Sequence, residues 1–289
     1  MRPLGHDCCL GQGSLDYVEI RRGVVMIYRK LISTTALFLG CALGFLGCAG
    51  EEEEESSAVR DDQGTDVGLT PTAFEAQNGM LPSCFWSVGA QKTLRALGNG
   101  ALANANGELP NMPDIGSLCY DTIKYAVQCA LDNTQTVKNP HNGETYRGLV
   151  GLATNWHTGA LDSDGRRWVT ACMVQRLNAL GVTVNILLEG NRAPLYESTD
   201  LDDKYRFQES TAFGDLFSST KLLTGLTPAF TAYVCSEEDL ANQCLVNVSS
   251  LLNLRLCDNV GLLCGVQYIG KCSSKCVANG SYWNCSDYG

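Results

Sequence analysis

The sequence predicts an α+β fold, with helices in the first half and short antiparallel strands plus a disulfide-stapled region toward the C-terminus. Three observations point there. Residues 112–132 and 162–181 repeat apolar side chains at helical spacing. The runs "VTVNILLEG" and "FTAYVCS", rich in β-branched and aromatic residues, read as strands. Seven of the 15 cysteines fall within the last 55 residues, the density of a loop-rich, cross-linked segment.

From the N-terminus, residues 1–25 fit no targeting pattern and read as an upstream extension outside the fold, with Met26 as a natural start. Cys8 and Cys9 belong to it. Residues 26–47 then have the order of a secretory signal: Arg29 and Lys30, an apolar stretch broken only by Ser33, Thr34 and Thr35, and small residues before a cysteine. The apolar run 31–49 is 19 residues long, close to the roughly 20 a bilayer-spanning helix needs. An uncleaved span and simple secretion are therefore alternatives. Gly40, Gly44 and Gly47 lower the helix propensity of the run. Its two "FLGC" segments resemble the lipobox of bacterial lipoproteins, in which the cysteine is acylated and becomes the mature N-terminus. Cys41 and Cys48 both fit that pattern. Cys48 leaves a full-length apolar region before it and stands directly ahead of polar sequence, so it is the expected lipid site. Phe45 stands where the lipobox usually has Leu, and Ala49, in place of Asp, points to the outer membrane.

Residues 48–76 form an acidic tether. "EEEEESSAVRDDQGTDVG" has too little apolar surface to fold, and its like charges keep it extended. Residues 77–230 form the α+β domain, and 231–289 form a Cys-rich module packed on it. In the first of these, "QKTLRALGNGALANAN" is a short helix ended by Gly98 and Gly100. Residues 112–132 are a longer helix, with Asp114 as N-cap and Ile115, Leu118, Cys119, Ile123, Ala126, Val127, Ala130 and Leu131 on its buried stripe. "NTQTVKNPHNGETYRG" reads as loop. A further helix covers 162–181, capped by Asp162 or Asp164, with Trp168, Ala171, Cys172 and Leu180 on one side and Gly181 after its end. A short strand at 205–208, an apolar turn "AFGDLF" and the strand "FTAYVCS" follow. Short strands and loops close the chain.

The chain carries 31 acidic and 21 basic residues, a net charge of −10. Nucleic-acid binders carry basic patches, so nucleic acid is not an expected partner. The acidic balance also argues against an electrostatic membrane-binding face. The expected membrane attachment is through the N-terminal lipid, and two or three acyl chains hold stably where one is marginal.

Eleven cysteines lie beyond Cys48: Cys84, Cys119, Cys129, Cys172, Cys235, Cys244, Cys257, Cys264, Cys272, Cys276 and Cys285. Each is expected as half of a disulfide, with one left over. Connectivity is open except at one place. Cys129 and Cys172 sit mid-helix, and close packing through Ala126, Ala130 and Ala171 would bring the two helices near enough to bridge. Cys272 and Cys276 have a spacing only loosely compatible with zinc, with no His nearby, so no metal is expected.

Catalytic patterns are scarce. No G-x-S-x-G, H-E-x-x-H, P-loop or G-x-G-x-x-G is present. "NWHTGALDSD" is the one polar cluster with active-site character. A secreted hydrolase would use His157 as a base oriented by Asp162 or Asp164. The plainer reading caps the next helix with the aspartates and leaves His157 on a surface loop. "LDSDG" and "DLDD" do not match a calcium loop, and no cofactor is expected. Trp156, Trp168, Phe213 and Phe217 read as core. Tyr268, Tyr282, Trp283 and Tyr288 read as a small stapled core or, if exposed, a surface for a protein or glycan ligand.

Three segments, "GLVGLATNWHTGALDSDGRRWVTACMVQRLNALGVTVNILLEG", "FQESTAFGDLF" and "CGVQYIGKCSSKC", together resemble a family of uncharacterised bacterial cell-envelope proteins, often lipoproteins. In that family a "WVSAC" helix leads into a "GVxVxISLRG" strand, an "EGAFYGNLF"-like segment and a Cys-rich end. The likeness covers roughly residues 118–285. Glu189 stands where the family has Arg, and Asp215 where it has Asn. The resemblance implies a shared fold and an envelope location, and carries no chemistry. The expectation is an exported lipoprotein presenting a non-enzymatic, disulfide-stapled binding or structural domain.

Overall fold

The structure is a computed structural model that describes residues 15–20, 25–29, 74–112, 115–116, 119–179, 183–196, 205, 208–218, 232–238, 248–258, 264–279 and 282–285. The expected lipidation site Cys48, the apolar run before it, most of the tether and Cys244 lie outside these residues.

The fold is α+β with short, mostly antiparallel strands. A five-stranded sheet has the order β1 (Leu15–Ile20), β2 (Val25–Arg29), β7 (Ser210–Gly214), β8 (Ala232–Ser236) and β9 (Val266–Lys271). Its β8–β9 pairing is parallel, the one departure from the expected antiparallel pattern among the described strands. Three two-stranded ribbons join β3 (Phe74–Asn78) to β6 (Val184–Leu188), β4 (Thr136–Lys138) to β5 (Thr145–Arg147), and β10 (Val277–Asn279) to β11 (Tyr282–Asn284). The helices are α1 (Pro82–Phe85), α2 (Val88–Gly98), α3 (Tyr120–Ala130), α4 (Ser163–Gln175), α5 (Val248–Cys257) and α6 (Cys272–Lys275).

Local chemistry explains the helix starts. The Ser87 hydroxyl accepts from Ala90 N at 3.2 Å, and Asp162 Oδ1 accepts from Gly165 N at 2.6 Å. Both are N-cap bonds that satisfy an orphan donor of the first turn. Ile123, Ala126, Val127 and Ala130 of α3 face Val169, Ala171, Cys172 and Met173 of α4 in one fully buried core. The small residues let the helices approach, and Cys129 and Cys172 are joined with Cα atoms 6.0 Å apart.

Several expectations are corrected. α3 begins at Tyr120, not near Asp114, because Gly116 turns with φ 71° and Cys119 becomes the N-cap; Asp114 and Leu118 lie outside the described residues. α4 stops at Gln175 rather than near Gly181. The Arg176 carbonyl is taken by Gly79 N and Met80 N, and Leu177 bridges to Met80, so the chain leaves the helix to pair with a neighbour. The expected loop at 133–148 is the β4–β5 hairpin, which buries Val137 and Tyr146. The α+β domain takes in Phe74, upstream of the expected boundary at 77, because Phe74–Asn78 pairs with Val184–Leu188. The strand expected at 205–208 begins instead at Ser210 and takes in the first half of the "AFGDLF" turn. α5 is a helix where loops and strands are expected; its leucines are spread around the helix and give no one-sided stripe.

The upstream extension also differs. "LDYVEI" and "VMIYR" are rich in strand formers, and they pair as a hairpin whose second strand meets β7 at Val25↔Ala212. This hairpin overlaps the n-region of the expected signal, so cleavage before Cys48 would remove it.

Candidate functional site

Four features of the described residues could carry function: the loop around His157, a buried arginine–glutamate network, a shallow cleft, and the sulfur-rich C-terminal end.

His157 closes a 3-10 turn, Thr154–His157. Its Nε2 donates to Thr136 O at 3.1 Å. Asp162 caps α4, and its Oδ2 accepts from Asn155 Nδ2 at 3.0 Å. The Gly165 N–H bond is the largest of the influences that hold the Asp162 carboxyl below the usual range, with Asn155 adding to it. Asp164 pairs with Arg192, whose guanidinium lies 5.8 Å from the Trp168 ring centroid. The three residues of the hydrolase reading therefore do not assemble as a dyad: each is held by a different partner. A further carboxylate near His157 is Asp132. The Thr134 hydroxyl and then the Thr134 N–H hold its carboxyl below the usual range, with His157 a minor contributor.

Behind α4 the polar residues are buried. Arg255 of α5 donates from Nη1 to Gln175 O at 3.1 Å and Leu177 O at 2.8 Å, and from Nη2 to Gln175 Oε1 at 3.0 Å. Gln175 Nε2 donates onward to Ser210 O at 3.0 Å. Arg255 Nε stands 3.5 Å from Glu209 Oε2, with both side chains almost wholly out of solvent. Arg176 lies 4.2 Å from the Tyr125 ring centroid and donates to Gln77 O and Gln128 Oε1, each at 2.8 Å. Burial lowers its pKa to about 10. These bonds lock α4, α5, β3 and β7 together. Buried ion pairs of this kind are weak stabilisers that are costly to break singly. None of these residues features in the sequence-level site. The signal for them is a charge inside an otherwise apolar run, as in "LLNLRLC" and "CMVQRL".

A cleft of about 150 Å³ lies between α2 and the 100–112 loop, lined by Lys92, Ala96, Gly100, Pro110 and Met112. It is smaller than the roughly 300–1,000 Å³ usual for small-molecule sites.

At the C-terminal end, Cys235–Cys272, Cys257–Cys264 and Cys276–Cys285 are disulfides, as is Cys84–Cys119 further up the chain. Cys272 and Cys276 bracket the single turn α6, which places two different disulfides side by side. The Sγ atoms of Cys235, Cys276 and Cys285 lie within 4.8 Å of one another, and a Glu237 carboxylate oxygen lies equally close to Cys235 and Cys272. Glu237 Oε1 accepts from the Thr211 hydroxyl at 2.5 Å, and its Oε2 accepts from Trp283 Nε1 at 3.1 Å. Phe213, Ile269, Tyr233 and Trp283 pack around the sulfurs as a satellite core. Trp283 and Tyr268 are thus partly buried, with Tyr268 Oη 3.1 Å from Ser236 Oγ. Tyr288 and the Tyr282 side chain lie outside what is described. Trp156 and Trp168 are core residues, as are Phe213 and Phe217.

No protein-family model, curated protein or solved structure matches this chain.

Proposed function

We propose that this chain is an exported bacterial lipoprotein, held to the outer membrane by acyl chains on Cys48, that presents a disulfide-stapled α+β domain in a binding or structural role for a protein or glycan partner. The observation that carries the reading is the pairing of ten cysteines between 84 and 285 into five disulfides. Such density is characteristic of chains that fold in oxidising compartments, the bacterial periplasm and cell surface among them. The signal-like order of residues 26–47 and the resemblance to envelope lipoproteins supply the route and the anchor. Among the described residues no helix is long and apolar enough to cross a membrane. The binding or structural role, rather than hydrolysis, is supported by the separate partners of His157, Asp162 and Asp164.

The test is metabolic labelling with a palmitate analogue in a Gram-negative host, comparing the natural chain with Cys48→Ala. Label on the natural chain and none on the variant is expected. Equal label on both would move the anchor to Cys41, and no label on either would remove it.

A further inference from the structure

The proximity of two disulfides has a chemical consequence that goes beyond envelope display. Here Cys235 Sγ, half of one bridge, lies within 4.8 Å of both sulfurs of another, Cys276 and Cys285. The two bridges also differ in access. Cys235 and Cys272 are 0% exposed, whereas Cys276 is half-buried and Cys285 is 8% exposed. The outer bridge closes the β10–β11 hairpin, joining the residues just before Val277 and just after Asn284, which are register partners. Freeing it needs only that hairpin to loosen, and Val277 of the hairpin is already 72% exposed.

We propose that Cys276–Cys285 and Cys235–Cys272 form a two-stage thiol–disulfide exchange relay, through which an external dithiol reduces the buried bridge by way of the outer one. Exchange proceeds by attack of a thiolate on a disulfide sulfur through a mixed disulfide. One thiolate of the external dithiol attacks Cys276 Sγ, and Cys285 leaves as a thiolate. The second thiol of the reagent resolves the mixed disulfide, so the reagent departs as its disulfide and Cys276 is released. Cys285 then attacks Cys235 Sγ, forming Cys235–Cys285 and breaking the bond to Cys272, which leaves and takes up a proton. Cys276 next attacks Cys285 Sγ, remakes the outer bridge and releases Cys235, which is protonated in turn. The net result moves two electrons and two protons from the dithiol to the inner pair and leaves the outer pair oxidised. Run backwards, the same steps oxidise the inner pair.

The test uses the full chain in its oxidised form, with dithiothreitol as the probe under native conditions. Samples are acid-quenched over time, alkylated and peptide-mapped. In the natural chain, thiols at Cys235 and Cys272 should appear no later than those of the outer pair, because each turnover re-forms Cys276–Cys285. In Cys276→Ala/Cys285→Ala the inner pair should be reduced at least about ten-fold more slowly, since the buried bridge then depends on direct attack. Equal rates in the two chains would overturn the relay. Should the double variant fail to fold, partly reduced natural protein decides the matter. A cross-linked peptide joining Cys235 to Cys285 or Cys276 supports the relay, and inner-pair reduction with no such peptide at any time overturns it. Cys272→Ala gives an independent reading. The thiol stranded at Cys235 should migrate, so that alkylation also labels Cys276 or Cys285; label confined to Cys235 would count against exchange.

Discussion

Removing the Cys129–Cys172 bridge offers a direct measure of how far cross-linking holds this domain together. It closes a separation of 43 residues, whereas Cys257–Cys264 closes only 7. No other disulfide among the described residues crosses either loop; the short loop lies inside the Cys235–Cys272 loop and changes that loop's effective length by only a few residues, so each bridge's own loop length sets most of its effect. The chain-entropy relation gives about 4 kcal/mol for the longer loop and about 2.4 kcal/mol for the shorter, a difference of about 1.6 kcal/mol. All four cysteines are buried, so replacement by Ala removes similar sulfur packing from both sites and leaves the difference largely intact. Urea unfolding of Cys129→Ala/Cys172→Ala and Cys257→Ala/Cys264→Ala, followed by tryptophan fluorescence and far-UV circular dichroism without reductant, reads it out. The long-loop variant should be the less stable of the two by more than 1 kcal/mol, on the order the loop lengths give. Equal losses, or a larger loss at the short loop, would refute the idea that these bridges act through the unfolded chain.

Three further outcomes follow from single sites. Gly148→Ala should lower the melting temperature, because a Cβ there would overlap Asp132 O and stand 2.5 Å from the Leu131 carbonyl carbon; overpacking of this kind costs about 1–3 kcal/mol. Arg255→Met should cost about 3–5 kcal/mol by leaving Glu209 buried without its cation, and adding Glu209→Gln should restore part of that stability in the same unfolding assay. Asp162→Asn keeps the α4 cap but removes its charge. The Asp162 carboxyl has a folded pKa below its unfolded one, so its contribution is fully present above the unfolded value, about 3.9, and is lost as pH falls through the folded value. The variant's acid unfolding curve should accordingly be flatter below about pH 4 than that of the natural chain.

The parts of this fold legible in the sequence are those where one signal dominates. An aspartate cap ahead of the helical apolar stripe of α4 is legible as Asp162 or Asp164, and the structure uses Asp162. The "NILL" strand and the strand at Val234 declare themselves by β-branched and apolar runs. The proximity of Cys129 to Cys172 follows from two helices with small residues at their contact. Elements decided by long-range pairing are not legible. Phe74–Asn78 looks like the end of an acidic tether until Val184–Leu188 supplies its partner, and Thr136–Lys138 is too short to show alternation. α4 ends early because Gly79 and Met80, nearly a hundred residues upstream, claim the Arg176 carbonyl. The same holds for the site. "NWHTGALDSD" brings a histidine and two aspartates together in sequence, yet Thr136, Asn155 and Arg192 take them apart in space. The stacking of two bridges around α6 depends on β8, which is far from Cys276 in the chain, and spacing alone does not reveal it.

Intact-mass and peptide mapping, under non-reducing conditions, of protein purified from membranes addresses the N-terminus and the cysteines in one experiment. The predicted result is a mature chain beginning at an acylated Cys48, without the Leu15–Arg29 hairpin, in the connectivity Cys84–Cys119, Cys129–Cys172, Cys235–Cys272, Cys257–Cys264 and Cys276–Cys285. A chain recovered from the cytosol with residues 15–29 still attached, Cys48 bare and its other thiols reduced would contradict it.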